Sequence, residues 1–269
     1  MNIKRVTTAL IGFPLVVLVL IINNIYIVDI AFSIIAILAL YEYFHAFKST
    51  EKANPVEWVG YILAGSISLI HVFPTEITKQ ALQLLMPSVV VILFLMGIVT
   101  NMKINVKDIA VTLLGICYIL GFMAFLPMLR GLEKGVFLIW YIIFAAWGTD
   151  VFAYLIGKKF GKHKFSQISP NKSIEGCIAG IVGASLATVI YTMVLNNYAG
   201  FNISYAYIIF VSIALSILSQ VGDFAASSIK RYVNLKDFSN LIPGHGGMLD
   251  RIDSLIFIAP FAYFLLNIL

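Results

Sequence analysis

Apolar residues run through this chain in blocks about as long as a bilayer is thick, separated by short polar stretches. A helix needs about 20 such residues to cross the hydrocarbon core. Nine segments qualify: 6–22, 25–44, 56–73, 81–99, 108–129, 135–157, 174–195, 203–226 and 250–269. The pattern predicts an all-α, polytopic transmembrane bundle of about nine spans. Stretches rich in glycine and proline, such as Gly121 to Pro127, fit kinks or close packing inside it. No internal repeat and no low-complexity region is visible. The opening MNIKR followed by Val6 to Ile22 resembles a signal peptide. Its apolar stretch is long, no small-residue cleavage pattern follows, and Ile25 starts another apolar run, so it reads as the first span.

Composition agrees. The 269 residues are 61% hydrophobic and 12% charged, with mean hydropathy +0.97, where a soluble domain is about 25% charged. The formal net charge of +5 reports orientation rather than nucleic-acid binding. With the N-terminus inside and the loops alternating, fifteen of the eighteen Lys and Arg fall on the cytoplasmic side. Only Lys79, Arg130 and Lys134 fall outside. That bias predicts N-in, C-out, and places the two longest polar loops, 157–173 and 227–249, in the cytoplasm. The chain then divides into an N-terminal membrane region, 1–134, of about five spans, and a C-terminal membrane region, 135–269, which carries both loops. Cys117 and Cys177 lie in or at the edge of apolar segments and read as small buried residues rather than a disulfide or metal pair.

The chemistry concentrates late in the chain. From Ser227 to Asp253 the sequence packs Lys230, Arg231, Lys236, Asp237, His245, Asp250, Arg251 and Asp253 into 27 residues. In a membrane protein such groups persist where they face water, a partner or an ion. Gly244, Gly246 and Gly247 flank His245, and glycines let backbone N–H groups approach a ligand. Asp150 sits about 10 Å inside the sixth candidate span. Asp223 lies near the cytoplasmic end of the eighth, and Asp250 and Asp253 share one face at the start of the ninth. One such acid alone is most simply a partner for Lys or Arg, and an acid in a first turn offsets the helix dipole. Four acids approaching one membrane surface beside two basic loops point instead to a carboxylate site for Mg²⁺ bridging to phosphate.

A second motif, SPNKSIEG, runs from Ser169 to Gly176. Helix initiation accounts for Ser169, Pro170 and Ser173. It leaves Lys172 and Glu175 without a role, and a helix N-terminus with a lysine is also an anion site. The basic run GKKFGKHKF just before it could equally hold anionic lipid headgroups.

At these residues the chain resembles the phosphatidate cytidylyltransferase, or CDP-diacylglycerol synthase, family. The match runs through Ser227, Ile229, Lys230, Arg231, Lys236, Asp237, Ser239, Ile242, Pro243, His245, Gly246, Gly247, Met248, Asp250, Arg251, Ile252 and Asp253. It continues upstream in Asp150, Ala153, Tyr154 and Gly157, and in the Ser169–Gly176 block, where Ser173 stands at a position many members fill with Thr. It covers roughly residues 135–260, and no roles are carried onto the first five spans.

The resemblance implies CTP and phosphatidic acid as substrates, CDP-diacylglycerol and pyrophosphate as products, and Mg²⁺ as cofactor, with room for a second cation. It implies an active site on the cytoplasmic face of the inner or plasma membrane, contacts with membrane lipids, no nucleic acid, and leaves a homodimer open. Asp223, Asp250, Asp253, Lys230, Arg231 and His245 are then the expected catalytic residues. Ser169, Lys172, Ser173, Glu175, Lys236, Asp237, Gly246, Gly247 and Arg251 are the expected substrate contacts. Asp223, Asp250 and Asp253, with Asp150, are the expected metal ligands. Two other classes fit parts of the pattern. One is a related CTP-using lipid enzyme, such as a polyprenol kinase or a cytidylyltransferase for another lipid phosphate. The other is an ion-coupled transporter, which would instead show midplane sites and paired repeats.

Overall fold

The structure, a computed structural model, describes residues 12, 14, 16–22, 24–166, 168–170, 172–244 and 246–269. Residues 6–11, 13 and 15 of the candidate span 6–22, together with Lys4 and Arg5, lie outside these residues. The described chain is helical: α1 Ile25–Ser49, α2 Glu57–Ser66, α3 Thr75–Val99, α4 Val106–Gly115, α5 Phe125–Arg130, α6 Gly135–Phe160, α7 Ile174–Tyr198, α8 Tyr205–Tyr232 and α9 Leu249–Leu266. Among the described residues the extended structure amounts to two isolated bridges, Lys164 to Ser173 and Ile242 to Gly246. Among the described residues six helices, counting Val106–Arg130 as one through its π-helical middle Ile116–Gly121, are long and apolar enough to cross a membrane. This is the architecture of an integral membrane protein.

Two of the nine predicted spans take a different form. Segment 56–73 holds ten residues of α-helix and three of 3₁₀ turn, about 20 Å, short of the roughly 30 Å of hydrocarbon. Ser66 and Ser68 donate to the carbonyls of Leu63 and Gly65, and such hydroxyl bonds compete with helix continuation. The chain then turns before Pro74. The last segment forms α9, 18 residues long, but Asp250, Arg251 and Asp253 in its first turns lower its apolar character.

The chain forms two compact units. The first comprises Met1–Gly131 and Tyr232–Arg251; the second comprises Leu132–Arg231 and Ile252–Leu269. In the first unit α1 is the hub. Tyr43 and Phe44 are fully buried, and Gly60 and Gly115 let α2 and α4 close on their rings. The Ser33 hydroxyl donates to Ala64 O at 2.9 Å, and the N–H groups of Asn54 and Val56 reach Asp108 and Thr112 on α4 at 2.6 and 2.9 Å.

The second unit is built on α6 and α7. Their seam is lined by Gly148, Gly157, Gly176 and Gly180. A methyl group at Gly148 would sit 3.0 Å from Ala184 Cα, and one at Gly180 would sit 2.9 Å from Thr149 O. Small residues permit this close approach, and van der Waals contact holds helices together in lipid, where apolar burial provides no drive. On α7 the side chains facing away from the seam are exposed and apolar, with Ile178, Val182, Leu186 and Ile190 spaced by four. That spacing makes one stripe along the helix, suited to lipid. Buried hydroxyls pair across the unit: Thr149 with Ser216 at 2.7 Å and Tyr141 with Thr192 at 2.8 Å.

Candidate functional site

The glycine seam brings the backbones of α6 and α7 together. Above their close approach the second unit opens a polar cavity of about 600 Å³, within the range that holds a small-molecule ligand. Asp150, Ser169, Lys172, Ser173 and Asp223 line it, with Tyr154, Lys158 and Lys164. Three elements therefore contribute: Asp150 from α6, Asp223 from α8, and the Ser169–Ser173 turn that leads into α7. Lys172 forms an ion pair with Asp223, and its ammonium lies 4.2 Å from the centroid of the Phe224 ring.

The turn is held from both sides. Ser173 Oγ accepts the Gly176 N–H at 3.2 Å and caps α7. Glu175 accepts from His163 Nδ1 at 2.6 Å and from the backbone N–H groups of Lys162 and His163 at 3.2 and 3.3 Å. Ile174 N–H donates to His163 O at 2.9 Å. Glu175 thus has a local task, folding the basic 161–164 segment back onto the start of α7. It does not line the cavity.

Asp253 is buried in the second unit at 8% exposure. The glycine at 222 lets α9 press on α8: a methyl there would meet Asp253 O at 2.7 Å and Phe257 Cβ at 2.9 Å. That contact holds Asp253 within electrostatic reach of Asp223, Asp150 and Lys230. Among the described residues no group of three or more His, Cys, Asp or Glu side chains forms a ready-made metal cage. The donor chemistry still fits Mg²⁺. Asp150, Asp223 and Asp253 offer hard anionic oxygens, and Mg²⁺ typically takes one or two carboxylates plus phosphates and waters rather than an all-protein cage.

In the first unit the glycine loop is closed on itself. Asp250 Oδ2 accepts the N–H groups of Phe238 and Gly247, both at 3.0 Å. Ile242 N–H donates to Gly246 O at 2.9 Å. Gly246 has φ +82, a conformation only glycine takes cheaply. The sequence suggested that these glycines present N–H groups to a ligand. In the structure the N–H of Gly247 is bonded to Asp250, and those of Met248 and Leu249 are bonded to Glu42 at 2.8 Å each.

Glu42, on α1, has no counterpart in the sequence reading. It is buried at 1% exposure and also accepts from the Ser239 hydroxyl at 2.6 Å. An acid inside an apolar run was the available signal, of the same kind that singled out Asp150. The remaining nominees are scattered. Lys236, Asp237 and Arg251 are exposed in the first unit; Arg231 is exposed and Lys230 half-buried at the end of α8. His245 lies outside the described residues.

Comparison with known proteins settles the family. The profile of the cytidylyltransferase family matches residues 3–269. The chain belongs to that family. A protein of Staphylococcus saprophyticus named phosphatidate cytidylyltransferase is 32% identical over 243 residues, covering 87% of this chain and 89% of that one. A protein of the same name from Staphylococcus aureus (strain COL) is 34% identical over 233 residues, covering 83% and 85%. One from Bacillus subtilis is 43% identical over 140 residues, 51% of each chain.

Proposed function

We propose that this chain transfers the cytidylyl group of CTP to phosphatidic acid, giving CDP-diacylglycerol and pyrophosphate. The observation that carries the reading is the cavity that gathers Asp150, Ser169, Lys172, Ser173 and Asp223 from three separated stretches of sequence. It agrees with the family match and with the full set of signature residues from Ser227 to Asp253.

In this reaction an oxygen of the lipid phosphate attacks the α-phosphorus of CTP. The new P–O bond forms as the bond from the α-phosphorus to the bridging oxygen breaks, and pyrophosphate departs with the electron pair. Such transfer depends on in-line positioning and on neutralising charge. Lys172 now balances Asp223. With CTP bound its ammonium turns to a nucleotide phosphate, and the aromatic face of Phe224 keeps it in place. Ser173 and Glu175 keep the turn folded so that Lys172 has one location. Lys164 and Lys158 at the rim attract the polyanion. Asp150, Asp223 and Asp253 would hold Mg²⁺, which when bound offsets phosphate charge and helps orient the attacking oxygen; Asp250, the fourth acid of the sequence expectation, is assigned to bracing the signature segment through Phe238 and Gly247. Lys230 and Arg231 are assigned to the phosphates of either substrate, Arg231 by its bidentate fork. Lys236, Asp237, His245 and Arg251 are assigned to substrate contacts of the signature segment, while Gly246 and Gly247, expected from the sequence among those contacts, shape its backbone instead.

The same proposal includes a topology of nine spans, N-in and C-out, resting on the fifteen-to-three split of basic residues. It puts the site on the cytoplasmic face of the cell membrane, where CTP meets a headgroup whose tails stay in the bilayer. The deciding experiment is purified protein in liposomes with phosphatidic acid and CTP labelled at the α- or γ-phosphate. The α-label should enter lipid and the γ-label should leave as pyrophosphate. Transfer of the γ-label to a lipid alcohol would make the chain a kinase and overturn the proposal.

A further inference from the structure

We propose that Glu42 is a positioning residue for the reaction, one that sets the Gly246–Leu249 segment and the first turn of α9 through its buried carboxylate. The inference rests on the functional reading above, because it gives the signature segment a part in turnover.

The geometry is specific. Oε1 accepts from Ser239 Oγ at 2.6 Å and from Met248 N–H at 2.8 Å, and Oε2 accepts from Leu249 N–H at 2.8 Å. The three donors lie about 200 residues further along the chain. A buried carboxylate costs several kcal/mol unless donors surround it, so a residue at 1% exposure is tolerated only while those bonds persist. Two of its donors are the N–H groups of Leu249, the first residue of α9, and of Met248 just before it, which no intrahelical carbonyl can satisfy. A negative charge there also meets the positive end of the helix dipole. Glu42 therefore performs from another helix what a local N-cap side chain normally does.

Two neighbouring features follow from that contact. A Cβ on Gly247 would sit 2.5 Å from Oε2, so the glycine is required by Glu42 and needs no ligand to explain it. Ser239 relays the hold, since its oxygen also accepts Leu241 N–H at 3.0 Å. Asp250 braces the same segment from within, through Phe238 and Gly247. Glu42 and Asp250 together hold Phe238, Ser239, Gly247, Met248 and Leu249.

The test uses the full chain in lipid nanodiscs and compares wild type with Glu42→Gln, which keeps shape and removes charge, and with Ser239→Ala, which removes one donor. Melting temperature, kcat, the KM values for CTP and lipid, and amide exchange across 238–252 would be measured. Glu42→Gln should lower kcat roughly 10- to 100-fold, the range seen when residues that orient a reacting group are removed. Both KM values should stay near wild type, and exchange should rise at Met248 and Leu249. Ser239→Ala should show the same pattern more weakly, and it carries the test if Glu42→Gln fails to fold. A folded Glu42→Gln protein with wild-type kcat, or with unchanged exchange at Met248 and Leu249, would overturn the inference. So would losses of kcat that only track melting temperature in both variants. If wild type itself transfers no cytidylyl group, the functional reading falls while the exchange measurement still decides whether Glu42 holds the segment.

Discussion

Residues 161–176 and 238–250 are both polar, glycine-bearing segments next to apolar helices, and they place their polar groups in contrasting ways. In the second, the N–H groups of Phe238, Gly247, Met248 and Leu249 are bonded to the carboxylates of Asp250 and Glu42. In the first, Glu175 folds the basic segment back, but Lys172 pairs with Asp223 in the lining of a cavity of about 600 Å³. One segment is internally satisfied and holds a shape. The other keeps an exchangeable charge beside empty space. Similar composition therefore serves scaffolding in one place and binding in the other, and the hydrogen-bond partners are what tell them apart.

The largest expected effect falls on the acids of the second unit. Asp223→Asn and Asp253→Asn should reduce turnover to background, because Mg²⁺ binds hard anionic oxygens. Both should fold. Wild type should gain melting temperature with added Mg²⁺ by mass action, and the variants should gain less. Full activity in either would remove that acid from the binding segment's machinery.

Lys172→Ala should come next. Loss of one charge-assisted contact to phosphate is worth about 1.5–3 kcal/mol, roughly a 10- to 150-fold fall in kcat/KM for CTP. The lipid KM should be nearly unchanged. A CTP dependence equal to wild type would mean that the lysine merely balances Asp223, and the contrast between the segments would lose its functional half.

Gly247→Ala probes the scaffold side. Its Cβ would press on Glu42 at 2.5 Å, and overpacking of this kind costs about 1–3 kcal/mol. The melting temperature should fall, and shortening the acid in Glu42→Asp/Gly247→Ala should recover part of the loss. A stable single variant would show that the segment is looser than its bonds imply.

The smallest effect is expected from Glu175→Gln, which weakens the contact to His163. CTP binding should loosen only slightly, because Ser173 still caps α7 and Ile174 still bonds His163 O. A loss as large as that of Lys172→Ala would promote Glu175 from folding the turn to contacting substrate.

Several things were legible in the residues themselves. Long apolar blocks can satisfy their backbone in lipid only as helices, so the all-helical membrane architecture followed from hydropathy. The acids and the lysine were also visible, since ionisable groups in so apolar a chain call for a partner or an ion. Segment 56–73 holds a shorter regular helix than its hydropathy suggests, because its serines and the turn before Pro74 act through hydrogen bonds that hydropathy ignores. Its His71 N–H and ring also bond the buried Asp29.

Tertiary structure alone decided which polar groups meet. Lys172 and Asp223 are far apart in sequence, yet α8 lies against the start of α7, where Gln220 Nε2 donates to Cys177 O at 3.1 Å, and the two side chains pair. Residues 232–251 follow α8 directly but fold with the first unit, where Glu42 receives them. No periodicity links an acid on α1 to amides about 200 residues later. The link exists because a buried carboxylate and the unsatisfied N–H groups of a helix start each need the other once water is gone.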